Sequence, residues 1–525
     1  MEAIHILQLG EEDWNNIFAL PQWVQLDYAA HIEGSLMEKS YDMCFLDRSP
    51  REEEIPLLFR AIRAYTLFIT EHVEMDEGTT WLCCSRKAQV IATEELPEFL
   101  AKETKYYFAR PYGGKLQLTD LSIARGFEGS VKWEGNYGVV LEGDFGEEFR
   151  QAAFWRYNTP LEQGQAVDLW LEYSKDSSVS ISFEITQFAY GGTEEIAHWS
   201  FDEKALQQVI CLDSMGSGAA FLSVSARGSG RLCLNALHQR KSRGSHGYFL
   251  PGGERYVSSQ REEAFCYFDP GDLKPPLCVY FSGYKTLQGF EGYYMMRGMG
   301  CPYLLVAEPR LEGGAFYMGS TEYEGFYVDM IRKYMTELGF TADQVVLSGL
   351  SMGTYGALYY GCDIKPYALL LGKPLASIGN VAANEKHIRP GGFSTSLDVL
   401  MYQGKGAGER GIQALNDKFW DKFEKTDWGN TKFAVSYMLE DDYDRDAYQM
   451  LISHMQSEGV EIYGKGLHGR HNDNTNGIVS WFLDQYRRIL DEDFGRGNEK
   501  NPERGFWKKK RKNPGRGFWK RKRKK

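Results

Sequence analysis

Residues 344–356 read QVVLSGLSMGTYG, and Gly349-Leu350-Ser351-Met352-Gly353 within them forms a G-x-S-x-G pattern. A serine held this way suits covalent acyl transfer, in which its hydroxyl attacks a carbonyl and carries the acyl group as an ester. The flanking glycines allow a strand-to-helix turn too tight for a Cβ, which lifts the hydroxyl clear of the sheet. The pattern is common by chance, and its bland alternative is a loop with a buried or solvated serine. Context favours chemistry here: Val345-Val346-Leu347 reads as a buried strand, and the stretch from Thr354 to Tyr360 as a helix with small residues on its inner side.

Such a serine needs a base, and the base needs an orienting carboxylate. Residues 432–439 (KFAVSYML) read as a strand ending in Glu440-Asp441-Asp442, which puts acids at the strand edge where open α/β sheets carry their sites. Asp441 is the first choice, with Glu440 as a substitute; the bland alternative, a solvated acidic loop, covers some of Asp442, Asp444 and Asp446. A short strand at Val460–Tyr463 precedes a glycine-rich loop holding His468 and His471. His471, just before an apolar terminal helix at Gly477–Leu490, is the preferred base, and His468 is the runner-up. His454 reads as a helix-surface residue and His387 as a solvated one. The order Ser, acid, His is that of α/β-hydrolases, not of chymotrypsin or subtilisin.

The negative oxygen of a tetrahedral intermediate needs preorganised N–H donors. One is the backbone N–H of Met352. The other is assigned to Gly283 or Tyr284, after the apolar strand Leu277–Phe281, where the bland alternative is an ordinary glycine turn.

The elements that must position these residues alternate along 265–492. Strands are expected at Cys278–Phe281, Tyr303–Ala307, Val345–Leu347, Tyr367–Leu371, Phe433–Leu439 and Val460–Tyr463. Helices are expected at Glu322–Leu338, Thr354–Tyr360, Asp446–Glu458 and Gly477–Leu490. Alternation of this kind builds a parallel sheet flanked by helices, so the fold class is α/β with an α/β-hydrolase-like C-terminal domain. An insert at 376–430, with an aromatic helix around Phe419-Trp420, falls where hydrolases carry caps and is expected to shape the acceptor pocket.

Upstream, residues 128–245 show short alternating stretches at Gly138–Leu141, Val167–Tyr173, Val179–Ile185, Ala219–Val224 and Arg231–Leu234, the pattern of a β-sandwich. Trp133, Trp155, Tyr157 and Trp170 are available for stacking on sugars, although more of them suit a core. Residues 1–127 read as a small α/β domain with strands at Ile4–Leu9 and 41–47 and a helix from Glu52 to Tyr65. Asp42 and Asp47 could suggest a phosphoacceptor or metal site, but no phosphate-cradling loop accompanies them and structural placement is preferred.

With 525 residues, 43% of them apolar and 14% aromatic, the chain is globular and long enough for two or three domains. No apolar run reaches the ~18 residues of a membrane span. The N-terminus lacks the pattern of a secretory signal, so a cytoplasmic location is expected. Nine cysteines without C-x-x-C spacing suggest neither a disulfide framework nor a zinc site, and no metal is expected. The net charge of −12 hides a basic tail: residues 501–525 repeat NPERGFWKKKRK as NPGRGFWKRKRK, with thirteen Lys and Arg against Glu503 alone. The segment 498–525 is expected to be disordered and to meet an anionic partner: acidic phospholipid at the inner face of the cell membrane first, or else an acidic protein or RNA. A merely solubilising tail is the bland alternative.

The elbow GLSMGTYGALYYG, the acid turn YMLEDDYD and the loop GLHGRHNDN, in that order behind an α/β segment and a sandwich-like stretch, resemble the second Asp component of the accessory Sec system of Gram-positive bacteria. The resemblance covers nearly the whole chain, the basic tail excepted. It implies a role in export of serine-rich repeat glycoprotein adhesins and O-acetylation of N-acetylglucosamine on the exported protein. It places the nucleophile on Ser351, the acid on Asp441 and the base on His471. Implied partners are the other Asp components, the accessory SecA motor and the glycosylated adhesin. No bound cofactor is implied; the acyl donor is open, with acetyl-CoA a candidate. A carbohydrate esterase and a non-catalytic export scaffold are the competing expectations.

Overall fold

The computed structural model describes residues 3–34, 39–108, 113–383, 396–403, 406, 408–455 and 459–497. The basic tail, His387 and part of the 376–430 insert lie outside them.

The candidate residues belong to an eight-stranded sheet in the order Glu254–Val257, Glu263–Asp269, Tyr303–Ala307, Leu277–Phe281, Val345–Leu350, Ala368–Gly372, Lys432–Met438, Glu461–Leu467. The last six run parallel, and Glu263–Asp269 pairs antiparallel with both of its neighbours. Helices cover both faces, so the central strands are apolar throughout rather than alternating. Val345 and Leu347 point into one core, with the helices Thr321–Leu338, Met352–Ile364 and Glu409–Glu424. Val346 and Leu370 point into the other, with the helix Thr475–Arg488.

Of the strands of this sheet, Glu254–Val257 precedes the expected boundary at 265 and Glu263–Asp269 begins two residues before it. Their charged ends disguise them: Glu254, Arg255 and Glu263 are strand residues whose charges are paired. The expected helix over 446–458 is seen as Ala447–His454. In the insert, the helices Ile378–Ala383, Ser396–Tyr402 and Glu409–Glu424 pack against one another.

The middle of the chain forms a ten-stranded antiparallel arrangement with its own apolar core. The stretches Ala219–Val224 and Arg231–Leu234, expected as two strands, are parts of one strand, Gly218–Lys241. Gly228, at φ 95°, lies where its register with Gly138–Trp155 shifts, and Gly230, at φ 144°, follows two residues on. The glycines mark a bulged bend, not a chain reversal. Strands at Gly113–Leu116 and Leu121–Ile123 join this region from before residue 128. Trp155 and Trp170 are buried in cores, while Trp133 and Tyr157 face solvent.

Residues 4–90 supply a five-stranded parallel sheet. Asp42 accepts from the His5 N–H and pairs with Arg63, while Asp47 binds Thr70 and His72, so both carboxylates serve local structure. The buried pair Arg86–Asp269, at 3.2 Å, ties this region to the large sheet. Among the described residues no helix is long and apolar enough to cross a membrane.

Candidate active site

Ser351, Asp441 and His471 each lie just beyond the carboxyl end of a parallel strand, the edge where loops from neighbouring strands converge. The elbow explains its own sequence. A Cβ on Gly349 would fall 2.3 Å from the backbone of Gly353, and one on Gly353 would fall 2.1 Å from the Phe281 carbonyl oxygen. Ser351 itself is forced to φ 53° and ψ −120°, a strained conformation that persists only because the surroundings hold it. Its N–H donates to the Gly372 carbonyl at 2.8 Å, and its own carbonyl accepts from Thr354 Oγ1 at 2.6 Å.

Ser351 Oγ lies 2.8 Å from His471 Nε2, and His471 Nδ1 lies 2.9 Å from Asp441 Oδ2. With Nδ1–H donating to the carboxylate, Nε2 carries the lone pair that accepts from the serine hydroxyl. The other oxygen of Asp441 accepts the N–H groups of Tyr443 and Asp444 at 2.8 and 3.3 Å. The imidazole is 1% exposed, and the Tyr443 ring stacks on it at 4.2 Å and 3°. Asp442 Oδ1 accepts the backbone N–H of His471 at 3.0 Å. A serine so bonded can pass its proton to the imidazole as it attacks a carbonyl.

The solvated-loop alternative holds for Asp446 and not for Asp442 and Asp444. Asp442 holds the His471 backbone, and Asp444 is buried, accepting the N–H groups of Ala376 and Ser377 at 2.8 Å each. Burial pushes the Asp444 carboxyl up despite those bonds. Only Asp446 of the three is exposed. The runners-up bind each other: His468 Nδ1 meets Glu440 Oε1 at 3.0 Å, at 87% and 55% side-chain exposure. Glu440 also accepts the Gly469 N–H at 2.6 Å, and these bonds, the backbone one first, hold its carboxyl below the usual range. His454 pairs with Glu424 and packs on Trp420.

Beside Ser351 a pocket of about 400 Å³ is lined by Gly283, Tyr284, Glu291, Met352, Lys373 and Tyr443, among others. Met352 opens its helix, so its N–H has no acceptor within that helix. Gly283 N–H is engaged: it donates to Glu291 Oε2 at 2.6 Å, to which Tyr280 OH also donates at 3.3 Å. A substrate oxygen can use Gly283 only by displacing that carboxylate. Glu291, Lys373 and Tyr443 lie beyond what the sequence reading singles out. Only Lys373 carries a signal in the sequence, as a charge directly after the apolar run ALLLG.

One cluster has metal-ligand chemistry. Glu172, His238 and Glu263 offer ligand atoms within 4.8 Å of one another. Much of the capacity of His238 and Glu263 is already used. Glu263 accepts from Arg240 and Arg255, and the two nitrogens of His238 meet Glu172 and Gln288 at 2.7 Å each.

The family model for the second Asp protein, described as the accessory Sec system GspB-transporter, matches residues 4–496. The corresponding accessory Sec system protein of Streptococcus gordonii is 36% identical over 504 residues, covering 94% of this chain and 99% of the relative. That of Staphylococcus aureus (strain NCTC 8325 / PS 47) is 35% identical over 521 residues, covering 94% and 97%. Among solved structures, the Glycosylation Associate Protein (Gap123) complex from Streptococcus agalactiae contains a similar chain. It is 35% identical, with a TM-score of 0.83 over 94% of this chain and 99% of that one. With a family match over nearly its whole length, and an elbow and loops that fold to one sheet edge, this chain belongs to the family of the second Asp protein of the accessory Sec system.

Proposed function

We propose that this protein transfers an acyl group, acetyl in the first instance, through Ser351 to a sugar hydroxyl: O-acetylation of N-acetylglucosamine on a serine-rich repeat adhesin exported by the accessory Sec system. The observation that carries this reading is the 2.8 Å and 2.9 Å relay from Ser351 through His471 to Asp441, built on a strained elbow that opens into a pocket.

In the first step Ser351 Oγ attacks the acyl carbonyl while His471 Nε2 takes its proton, and the Asp441 carboxylate stabilises the imidazolium through Nδ1–H. The carbonyl oxygen becomes negative and is met by Met352 N–H and by Gly283 N–H, from which it displaces Glu291; Tyr284 lines the same wall. His471 returns the proton to the leaving group, and the acyl group remains as an ester on Ser351. A sugar hydroxyl then gives its proton to Nε2, attacks the ester and leaves acetylated, restoring the serine. Transfer outruns hydrolysis only if water is kept out, a task suited to the helices of the 376–430 insert. The acyl donor is open, with acetyl-CoA the candidate.

The test is to incubate the full-length protein with an acetyl donor and N-acetylglucosamine, and to follow the acetyl group by mass spectrometry. Acetyl on Ser351 and then on sugar is expected. Release to water alone, undiverted by sugar, would make the protein a carbohydrate esterase, and acetylation by the Ser351→Ala protein would overturn the catalytic role.

A second reading rests on the relative found in a complex. In it the chain serves export as a binding component, alongside the other Asp components, the accessory SecA motor and the adhesin. It acts in the cytoplasm, with 498–525 touching anionic lipid at the inner face of the membrane. The two roles can coexist. Normal adhesin export with unacetylated glycan in a Ser351→Ala strain would separate them, and unchanged vesicle binding after deletion of 498–525 would remove the membrane contact.

A further inference from the structure

One charged side chain in the pocket is buried without a counter-ion among the described residues. Lys373 follows the strand Ala368–Gly372 at φ 57°, a left-handed conformation that is costly for a residue with a Cβ, and it is 7% exposed. Its backbone is locked between the strands that deliver the serine and the acid. Lys373 N–H donates to the Ser436 carbonyl at 2.7 Å, and the carbonyl of Gly372 accepts from Ser351 N–H at 2.8 Å. Held this way, the side chain contributes to the wall of the pocket beside Ser351, Tyr443, Asn472 and Thr475.

The ammonium meets a hydroxyl, not an acid. Nζ donates to Thr475 Oγ1 at 3.0 Å, and among the described residues it forms no salt bridge within 4.0 Å. Burial lowers its proton affinity from the ordinary lysine value, outweighing the attraction of Asp441 and Asp473 from farther away. Glu291, the carboxylate in the same pocket, is occupied by Gly283 and Tyr280. Thr475 is also the first residue of the fourteen-residue helix Thr475–Arg488, whose positive dipole end favours negative charge; the Asn474 side chain caps the Gly477 N–H at 3.3 Å, leaving the N–H groups of the first two residues without an acceptor inside the helix. A desolvated ammonium and a helix start that share one hydroxyl are complementary to a small oxyanion.

We infer that Lys373 and Thr475, with the start of that helix, form an anion subsite in the acyl-transfer pocket, recognising a phosphate or carboxylate group carried by the acyl donor or the acceptor. The inference rests on the reading that Ser351 is acylated, and it adds that one substrate carries an anionic group that reaches the Lys373 wall of this pocket. Lys373 is a specificity residue in this account, distinct from the proton relay.

Full-length wild type, Lys373→Gln and Lys373→Arg are compared with three acetyl donors: p-nitrophenyl acetate and S-acetylpantetheine, both uncharged, and acetyl-CoA, which carries phosphates. Lys373→Gln is expected to raise KM for acetyl-CoA by about 10-fold or more relative to its effect on KM for p-nitrophenyl acetate, as loss of one charge-assisted bond would produce. Lys373→Arg is expected to recover most of that loss, and inorganic pyrophosphate to compete with acetyl-CoA in wild type but not in Lys373→Gln. If wild type does not prefer acetyl-CoA, a Lys373-dependent preference for glucuronic acid over N-acetylglucosamine as acceptor would assign the anion to that side. An equal fall in kcat with all three donors at unchanged KM would make Lys373 a structural support for Asp441 and overturn the subsite, as would no change with any substrate. Failure of wild type to acylate from p-nitrophenyl acetate would sink the catalytic reading alone. Calorimetric binding of pyrophosphate to wild type and Lys373→Gln then decides the subsite, equal or absent binding overturning it.

Discussion

Two buried histidines in this protein each hold a carboxylate, His471 with Asp441 at 2.9 Å and His238 with Glu172 at 2.7 Å, and their surroundings give them opposite characters. His238 sits where the antiparallel region meets the large sheet. Gln288 donates an amide hydrogen to its Nδ1, and that amide is oriented by the 2.6 Å bond from Arg240 Nε to Gln288 Oε1. Nε2–H therefore points at Glu172, and both ring nitrogens are spent. Arg240 and Arg255 neutralise Glu263 alongside. At His471 only Nδ1 is spent on the protein's own acid, and Nε2 faces a serine hydroxyl at the wall of a pocket. A histidine–carboxylate pair is thus structural or reactive according to what its second nitrogen meets. Burial differs little between them, at 0% and 1% exposure.

Substitutions at the two clusters sharpen the contrast. Ser351→Ala is expected to lower acyl transfer by roughly 10⁴–10⁶-fold, read as acetyl-enzyme by mass spectrometry, with an unchanged melting temperature. Asp441→Asn should cost roughly 10³–10⁴-fold by leaving the imidazole in the wrong tautomer, whereas Glu440→Gln and His468→Ala should leave the rate within about 2-fold because that pair lies in solvent. Comparable losses from Glu440→Gln would reassign the acid. At the other cluster, Glu263→Gln removes the partner of two buried guanidinium groups and should destabilise the fold by about 3–5 kcal/mol, measured by denaturant unfolding. Acyl transfer per folded molecule should stay at the wild-type level, and a selective loss of rate would contradict the structural assignment.

The two clusters should also separate by pH. Burial is the largest influence on His238 and lowers its proton affinity in the folded protein, against attraction from Glu172 and Glu263. The unfolded chain therefore binds a proton first as pH falls, and stability should decline below about pH 6.5 by up to ~1.4 kcal/mol per unit for this one group. At Glu263 burial is again the largest single influence and raises the carboxyl, but Arg240 and Arg255 together outweigh it and hold the group well below the usual range. Its contribution is therefore present above about pH 4.3 and is lost in more acidic solution. A pH series of unfolding curves in which His238→Gln is as steep as wild type between about pH 5 and 6.5 would contradict the assignment of that slope to His238. A smaller loss is expected at Tyr443 than at the relay itself: Tyr443→Leu removes the ring stacked on His471 and should lower kcat by about 2–10-fold, the worth of one aromatic contact.

Much of the candidate site is legible along the chain because it is local. The elbow needs glycine at 349 and 353, and an apolar strand before it and small residues after it are visible in order. The acid and the base each follow an apolar run. The structural cluster is not legible in this way. Glu172, His238, Arg240, Arg255, Glu263 and Gln288 come from four strands and a loop spread between residues 172 and 288, each at a position where an exposed polar group would look equally natural. Glu291 and Lys373 escape for the same reason, since nothing near them in sequence states which cavity they line. The strand Gly218–Lys241 reads as two along the sequence because its glycines, which signal turns in most strands, here permit a bulged bend between long pairings.

The order and types of the residues determined that a serine, an acid and a histidine would sit at the ends of parallel strands, since apolar periodicity sets strands and helices and glycine sets tight turns. Tertiary structure alone decided which of Glu440, Asp441 and Asp442 meets His471, that Glu291 occupies the Gly283 N–H, and that Lys373 is desolvated beside the serine. Those outcomes depend on distances of a few ångströms between segments dozens of residues apart, where Coulomb and hydrogen-bond energies change steeply while the pattern along the chain is unaltered.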